Sequence, residues 1–161
     1  MAHLKYGCKT PNAAGKEYPV AASQYFRHDG VNAVYLDSSG HVTLALTNTA
    51  TLKGIAIVPK GRGAGASDDY WLSSSTAGKD KVFVITDPNA KFLAPADDTV
   101  TAAMAGNACD LVSVNDGTAT QVDVGTSSTD VFIIDGVGTD AGGSATDVLF
   151  HINPSKYQAD T

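Results

Sequence analysis

Val31-Asn32-Ala33-Val34-Tyr35-Leu36, Asp37-Ser38-Ser39-Gly40 and His41-Val42-Thr43-Leu44-Ala45-Leu46-Thr47 run on without a break, and their reading decides the fold. In the last of the three, Val42, Leu44 and Leu46 fall at every second position and share one face of an extended chain. The middle four residues form a turn, since Asp and Ser bond their own backbone and Gly accepts positive φ. The stretch predicts a β-hairpin with one apolar face.

The same pattern continues downstream. Leu52 to Val58 predicts a third strand, ended by Pro59, and residues 60–69 are too rich in Gly to pack. Lys81 to Thr86 predicts a strand before the turn Asp87-Pro88-Asn89. Residues 111–114 and 121–124, around Asn115-Asp116-Gly117, predict a second hairpin. Asp130 to Asp135 and Asp147 to Ile152 complete about eight strands, with the Gly-rich loop 136–146 between the last two. Thr99 to Ala108 is the one helix candidate, with Asp97 or Asp98 placed to cap it. Helices do not alternate with strands, so a parallel α/β sheet is disfavoured. The expected class is all-β with one short helix, as a small β-barrel or β-sandwich. Residues 1–30 show neither period and are expected to form an extended N-terminal arm on a body of residues 31–154, with 155–161 as a tail.

Composition agrees. Of 17 acidic residues only Glu17 is Glu, and Asp suits turns where Glu suits helices. The 16 Gly and 6 Pro punctuate short strands. No apolar run exceeds four or five residues, Val131-Phe132-Ile133-Ile134 being one of the longest, whereas a membrane-spanning helix needs about 20 apolar residues. The start lacks the apolar core of a secretory signal, so Cys8 and Cys109 are expected as free thiols in a reducing compartment. Net charge is −6: residues 1–30 carry four basic against two acidic side chains (+2), and the rest seven against 15 (−8). An acidic body argues against nucleic acid as partner, because phosphate contacts supply most of that affinity.

Sites of chemistry are sparse. Gly136-Val137-Gly138-Thr139-Asp140-Ala141 and Gly61-Arg62-Gly63-Ala64-Gly65-Ala66 fit a dinucleotide fingerprint, but neither is followed by the helix that the fingerprint needs. Asp135, Asp140 and Asp147 surround a Gly-rich loop without the alternating ligands and closing Glu of an EF-hand. His3, His28, His41 and His151 are scattered, Asp68-Asp69 and Asp97-Asp98 fall in loop or cap positions, and Cys8 lies in the irregular start. No catalytic residue, metal ligand or cofactor is expected, and the chain is not expected to be an enzyme.

Three stretches carry a family likeness: the opening MAHLKYG, then KVFVITDPNAKFLAPADDTVTAAMAGNACDLVSVNDG, and TQVDVGTSSTDVFIIDGVG. In them the chain resembles the head-decoration, or capsid cement, proteins of tailed bacteriophages. That resemblance implies a β-rich body on the outer capsid face, bound to the major capsid protein. It also implies self-association as a trimer or dimer, an arm reaching across neighbouring subunits, synthesis in the host cytoplasm and residence in the virion. The aromatic residues of the expected arm, Tyr6, Tyr18, Tyr25 and Phe26, with Arg27, are the candidate capsid contacts, since aromatics bring large area at low entropy cost. Two other roles compete: a tail or head-fibre component, and a carbohydrate- or cell-surface-binding β-module. Trp71 is the only Trp, which disfavours a sugar binder.

Overall fold

The computed structural model describes residues 6–27, 31–47, 49–58, 70–112 and 121–158. They form β1 (Gly7–Cys8), β2 (Gly15–Pro19), β3 (Tyr25–Arg27), β4 (Asn32–Leu36), β5 (Val42–Leu44), β6 (Gly54–Ile57) and β7 (Tyr70–Leu72). The chain continues through β8 (Lys81–Ile85), β9 (Phe92–Pro95), β10 (Ala108–Val112), β11 (Gln121–Asp123), β12 (Phe132–Val137) and β13 (Asp147–Ile152). Short 3-10 turns at Ala102–Met104, Gly138–Ala141 and Pro154–Lys156 are the helical pieces. The fold is all-β and antiparallel, as expected.

Three sheets result. One holds six strands in the order β1-β9-β13-β12-β10-β11, another five in the order β2-β8-β6-β4-β5, and the third is the ribbon β3-β7. Alternate residues of the five-stranded sheet feed two different cores. Ala33, Ile55 and Ile85 pack with Phe92, Phe132, Phe150 and Ile152 of the six-stranded sheet. Val34, Ala56 and Val84 pack instead with Phe26 and Trp71 of the ribbon. A sheet buried on both faces cannot alternate apolar with polar, which is why β6 reads Gly-Ile-Ala-Ile.

Both large sheets curl without closing into a barrel. Val20 bridges Val42 across the ends of the five-stranded sheet, and Ala96 bridges Val122 across the six-stranded one. Within the five-stranded sheet, Gly54 faces the β8 backbone at close range. A Cβ there would lie 2.0 Å from the Ile85 carbonyl oxygen, so only glycine allows β6 to approach β8 this closely.

Three expectations are corrected. Residues 6–27 are no arm: β1 pairs with β9, β2 with β8 and β3 with β7, so the segment adds a strand to each sheet. Residues 155–158, the described part of the expected tail, are likewise built in. Leu52 bridges Tyr157, and the Gln158 side chain accepts from Leu36 N–H at 2.7 Å and donates to Leu36 O at 2.8 Å. The helix expected over 99–108 shrinks to the three-residue 3-10 turn, whose Thr101 makes no side-chain capping bond. The loop at 60–69, the turn at 115–117, His3 and His28 lie outside the described residues.

Candidate interaction surface

The five residues singled out by sequence go to different places. Phe26 is wholly buried (0% exposed) and stacked on Trp71, with ring centroids 5.5 Å apart and planes at 24°. Its ring therefore belongs to the core, a correction to its expected role as a partner contact. Tyr18 packs partly against the same core, with the Lys16 and Lys53 ammonium groups 5.5 Å and 5.9 Å from its ring centre. The Tyr6 hydroxyl donates to Asp147 Oδ1 at 2.9 Å. Tyr25 and Arg27 flank Phe26 along β3 and so project from the opposite face of the ribbon.

That outer face is the candidate surface. Tyr25 lies directly opposite Leu72, which is 40% exposed, and Arg27 opposite Tyr70. The ribbon is anchored at its end through Ser73, whose hydroxyl donates to Ala21 O at 2.9 Å and accepts Gln24 N–H at 2.8 Å. Asn32 secures the other end, accepting Arg27 N–H at 2.8 Å and donating to Arg27 O at 2.9 Å. The result is a tyrosine and a leucine held side by side over a rigid aromatic layer. Sequence reading missed Leu72 and two further exposed apolar side chains, Leu46 (56%) and Phe83 (39%).

The polar clusters are structural. The strand that precedes the first Gly fingerprint runs on through Gly136 and Val137 and is followed by the four-residue 3-10 turn. Gly138 and Gly143 leave room for Asp147: a Cβ on either would come within 2.4 Å or 2.7 Å of its side chain. Asp147 is 2% exposed and also accepts from Ser144 N–H at 2.7 Å. Asp135 is the bulged residue between Ile134 and Gly136, and its Oδ2 lies 2.9 Å from His151 Nδ1. Asp135 and Asp147 thus serve separate partners. Among the described residues no group of His, Cys, Asp or Glu is arranged to hold a metal ion.

Both cysteines are free thiols. Burial, reinforced by the carboxylates of Asp110, Asp123, Asp130 and Asp97, pushes Cys109 up to about 12, so its nucleophilic thiolate is scarce. Burial raises Cys8 as well.

Asp110 is a different case. Burial alone would raise its carboxyl, but the N–H groups of Asp130, Ser128 and Thr129, at 2.9–3.0 Å, outweigh that and hold it below the usual aspartate range. A lowered folded value means these bonds stabilise fully above the ordinary aspartate range and are lost as pH falls through the folded value. Asp110→Asn is expected to lower stability by about 1–3 kcal/mol at pH 7. The gap to the unaltered protein should begin to narrow below about pH 4, where the aspartate of the unfolded chain protonates, and go on narrowing as pH falls through the lower folded value. Urea melts at pH 7 and pH 3 check both points.

No family model matches the chain, and no curated protein or solved structure is significantly similar to it.

Proposed function

We propose that the chain is a non-enzymatic virion protein of a tailed bacteriophage, a decoration protein that binds the outside of the assembled head. The observation that supports this reading is the outer face of the β3–β7 ribbon, where Tyr25 and Leu72 stand exposed or half-exposed above the buried Phe26–Trp71 stack. Tyrosine and apolar side chains on a rigid platform make good protein contacts, because little entropy is lost when they are covered. The likeness to decoration proteins adds to it. Its longest stretch spans β8, β9 and β10, which are interior strands of the two large sheets.

Binding of this kind stabilises a shell by mass action. A protein that binds only the assembled form adds about 2.7 kcal/mol per site when its free concentration is a hundredfold above Kd. The partner in this reading is the major capsid protein, with further copies of the chain beside it as a trimer or dimer. Cosedimentation with undecorated heads tests the idea. Leu72→Asp should cost about 1–3 kcal/mol of affinity while leaving the melting temperature nearly unchanged, and Tyr25→Ala should cost a similar amount of affinity. Full occupancy by both variants would move the contact elsewhere on the body.

A further inference from the structure

Sheet edges in this fold are finished in different ways. At β5, Ala21 N–H donates to Val42 O at 3.0 Å and the Gln24 side chain accepts from Leu44 N–H at 3.0 Å. At β11, Asp97 N–H donates to Val122 O at 3.0 Å, and Asp97 Oδ1 accepts from Val124 N–H at 3.0 Å. β2 pairs with β8 on one side, and on the other it meets β5 just past its end, where Val20 bridges Val42; Gly15, Lys16 and Glu17, before that bridge, are exposed. Thr86 N–H donates to Ala14 O at 3.0 Å and Val20 N–H to Asp80 O at 2.9 Å. With Lys16 opposite Val84 and Tyr18 opposite Val82, the even-numbered residues bond to β8, and the backbone groups of Gly15, Glu17 and Pro19 turn outward. Pro19 has no N–H to leave unpaired there, as suits an edge. The open part of the edge offers the N–H groups and carbonyls of Gly15 and Glu17, while the Pro19 end is covered by β5, where Val20 bridges Val42.

We propose that this edge takes an extended segment of a different protein by strand addition, and that it refuses a second copy of itself. Charge decides the occupant. An antiparallel two-fold pairing with full overlap sets Glu17 directly against its own symmetry mate and Gly15 against Pro19, which lacks a donor. Sliding the register one step sets Lys16 against its mate. Sliding it the other way sets Glu17 against Pro19. Like charges directly opposite are destabilising. The fitting segment runs antiparallel with a cation opposite Glu17 and, next in its sequence, a carboxylate opposite Lys16. Phe83, 39% exposed and lying over Gly15, gives that segment an apolar neighbour on the Glu17 face, and Tyr18 gives one on the other. This inference rests on the edge alone and holds whether or not the partner is a capsid protein.

Backbone amide exchange tests it on the full chain, with the synthetic peptide Val-Thr-Lys-Asp-Val-Thr-Val as probe. The peptide should slow exchange at Gly15 and Glu17 by about tenfold or more at saturation, and Lys16→Glu should weaken its binding. The protein alone should show no concentration-dependent protection at those two amides. A variant with Lys16→Thr and Glu17→Thr, freed of the charge conflict, should self-associate and gain such protection. Peptide protection at another edge or nowhere, or self-protection of the unaltered β2, overturns the proposal.

Discussion

A chain lacking residues 1–29 fails to fold cooperatively. The deletion strips β2 from β8, β1 from β9, and β3 from β7, leaving the apolar side of Trp71 without its partner. It also removes Val20 and Phe26 from the second core. Phe26→Ala by itself should cost about 3–5 kcal/mol, the range for truncating a buried phenylalanine. A domain of ordinary stability has about 5–15 kcal/mol in total, so losing three strands as well exceeds the reserve. Calorimetry gives the answer. A truncated chain that still melted sharply, within a few degrees of the full one, would mean residues 6–27 are an accessory after all.

Phe150→Ala is expected to be the most damaging single substitution in the larger core. Its ring lies 4.5 Å from that of Phe132 and 5.8 Å from that of Phe92, all three fully buried. Truncation leaves a cavity walled by two rigid rings that collapse poorly, at about 3–5 kcal/mol. In urea the midpoint should fall while the slope holds, since the surface exposed on unfolding barely changes. Phe83→Ala, on the open side of β8, is the control and should cost well under half as much. Equal losses from the two would show that Phe83 is buried in solution.

How far the sequence carried the fold depended on whether each strand's pattern was local. The hairpin at 31–47 was legible because β4 and β5 pair across their own turn, Val34 with Leu44 and Leu36 with Val42. β9 was not, since Phe92, Leu93 and Ala94 are buried on both sides and Pro95 reads as a breaker. β1, β2 and β3 are short, and nothing within them shows that their partners lie about 45 to 85 residues away. The expected helix at 99–108 has alanines in its favour. Gly106, at φ +90°, and the need to enter β10 at Ala108 end it after one turn, and a piece so short has little stability of its own.

The candidate surface divides the same way. Aromatic composition pointed to the neighbourhood of Tyr25, Phe26 and Arg27. Which side chains turn inward was decided by Trp71, forty-five positions beyond Phe26, and only that pairing places Leu72 beside Tyr25. Charge was legible as a total but not as a role. Asp110, one acid among many in the sequence, becomes a buried cap for three backbone N–H groups only when Ser128, Thr129 and Asp130 fold over it.

Electron microscopy of phage heads with and without this chain tests the functional reading most directly. The account predicts added density on the outer face of the shell, at sites shared by capsid subunits, with the β3–β7 ribbon toward the major capsid protein. Heads that are identical with and without the chain, or density confined to the tail, would contradict it.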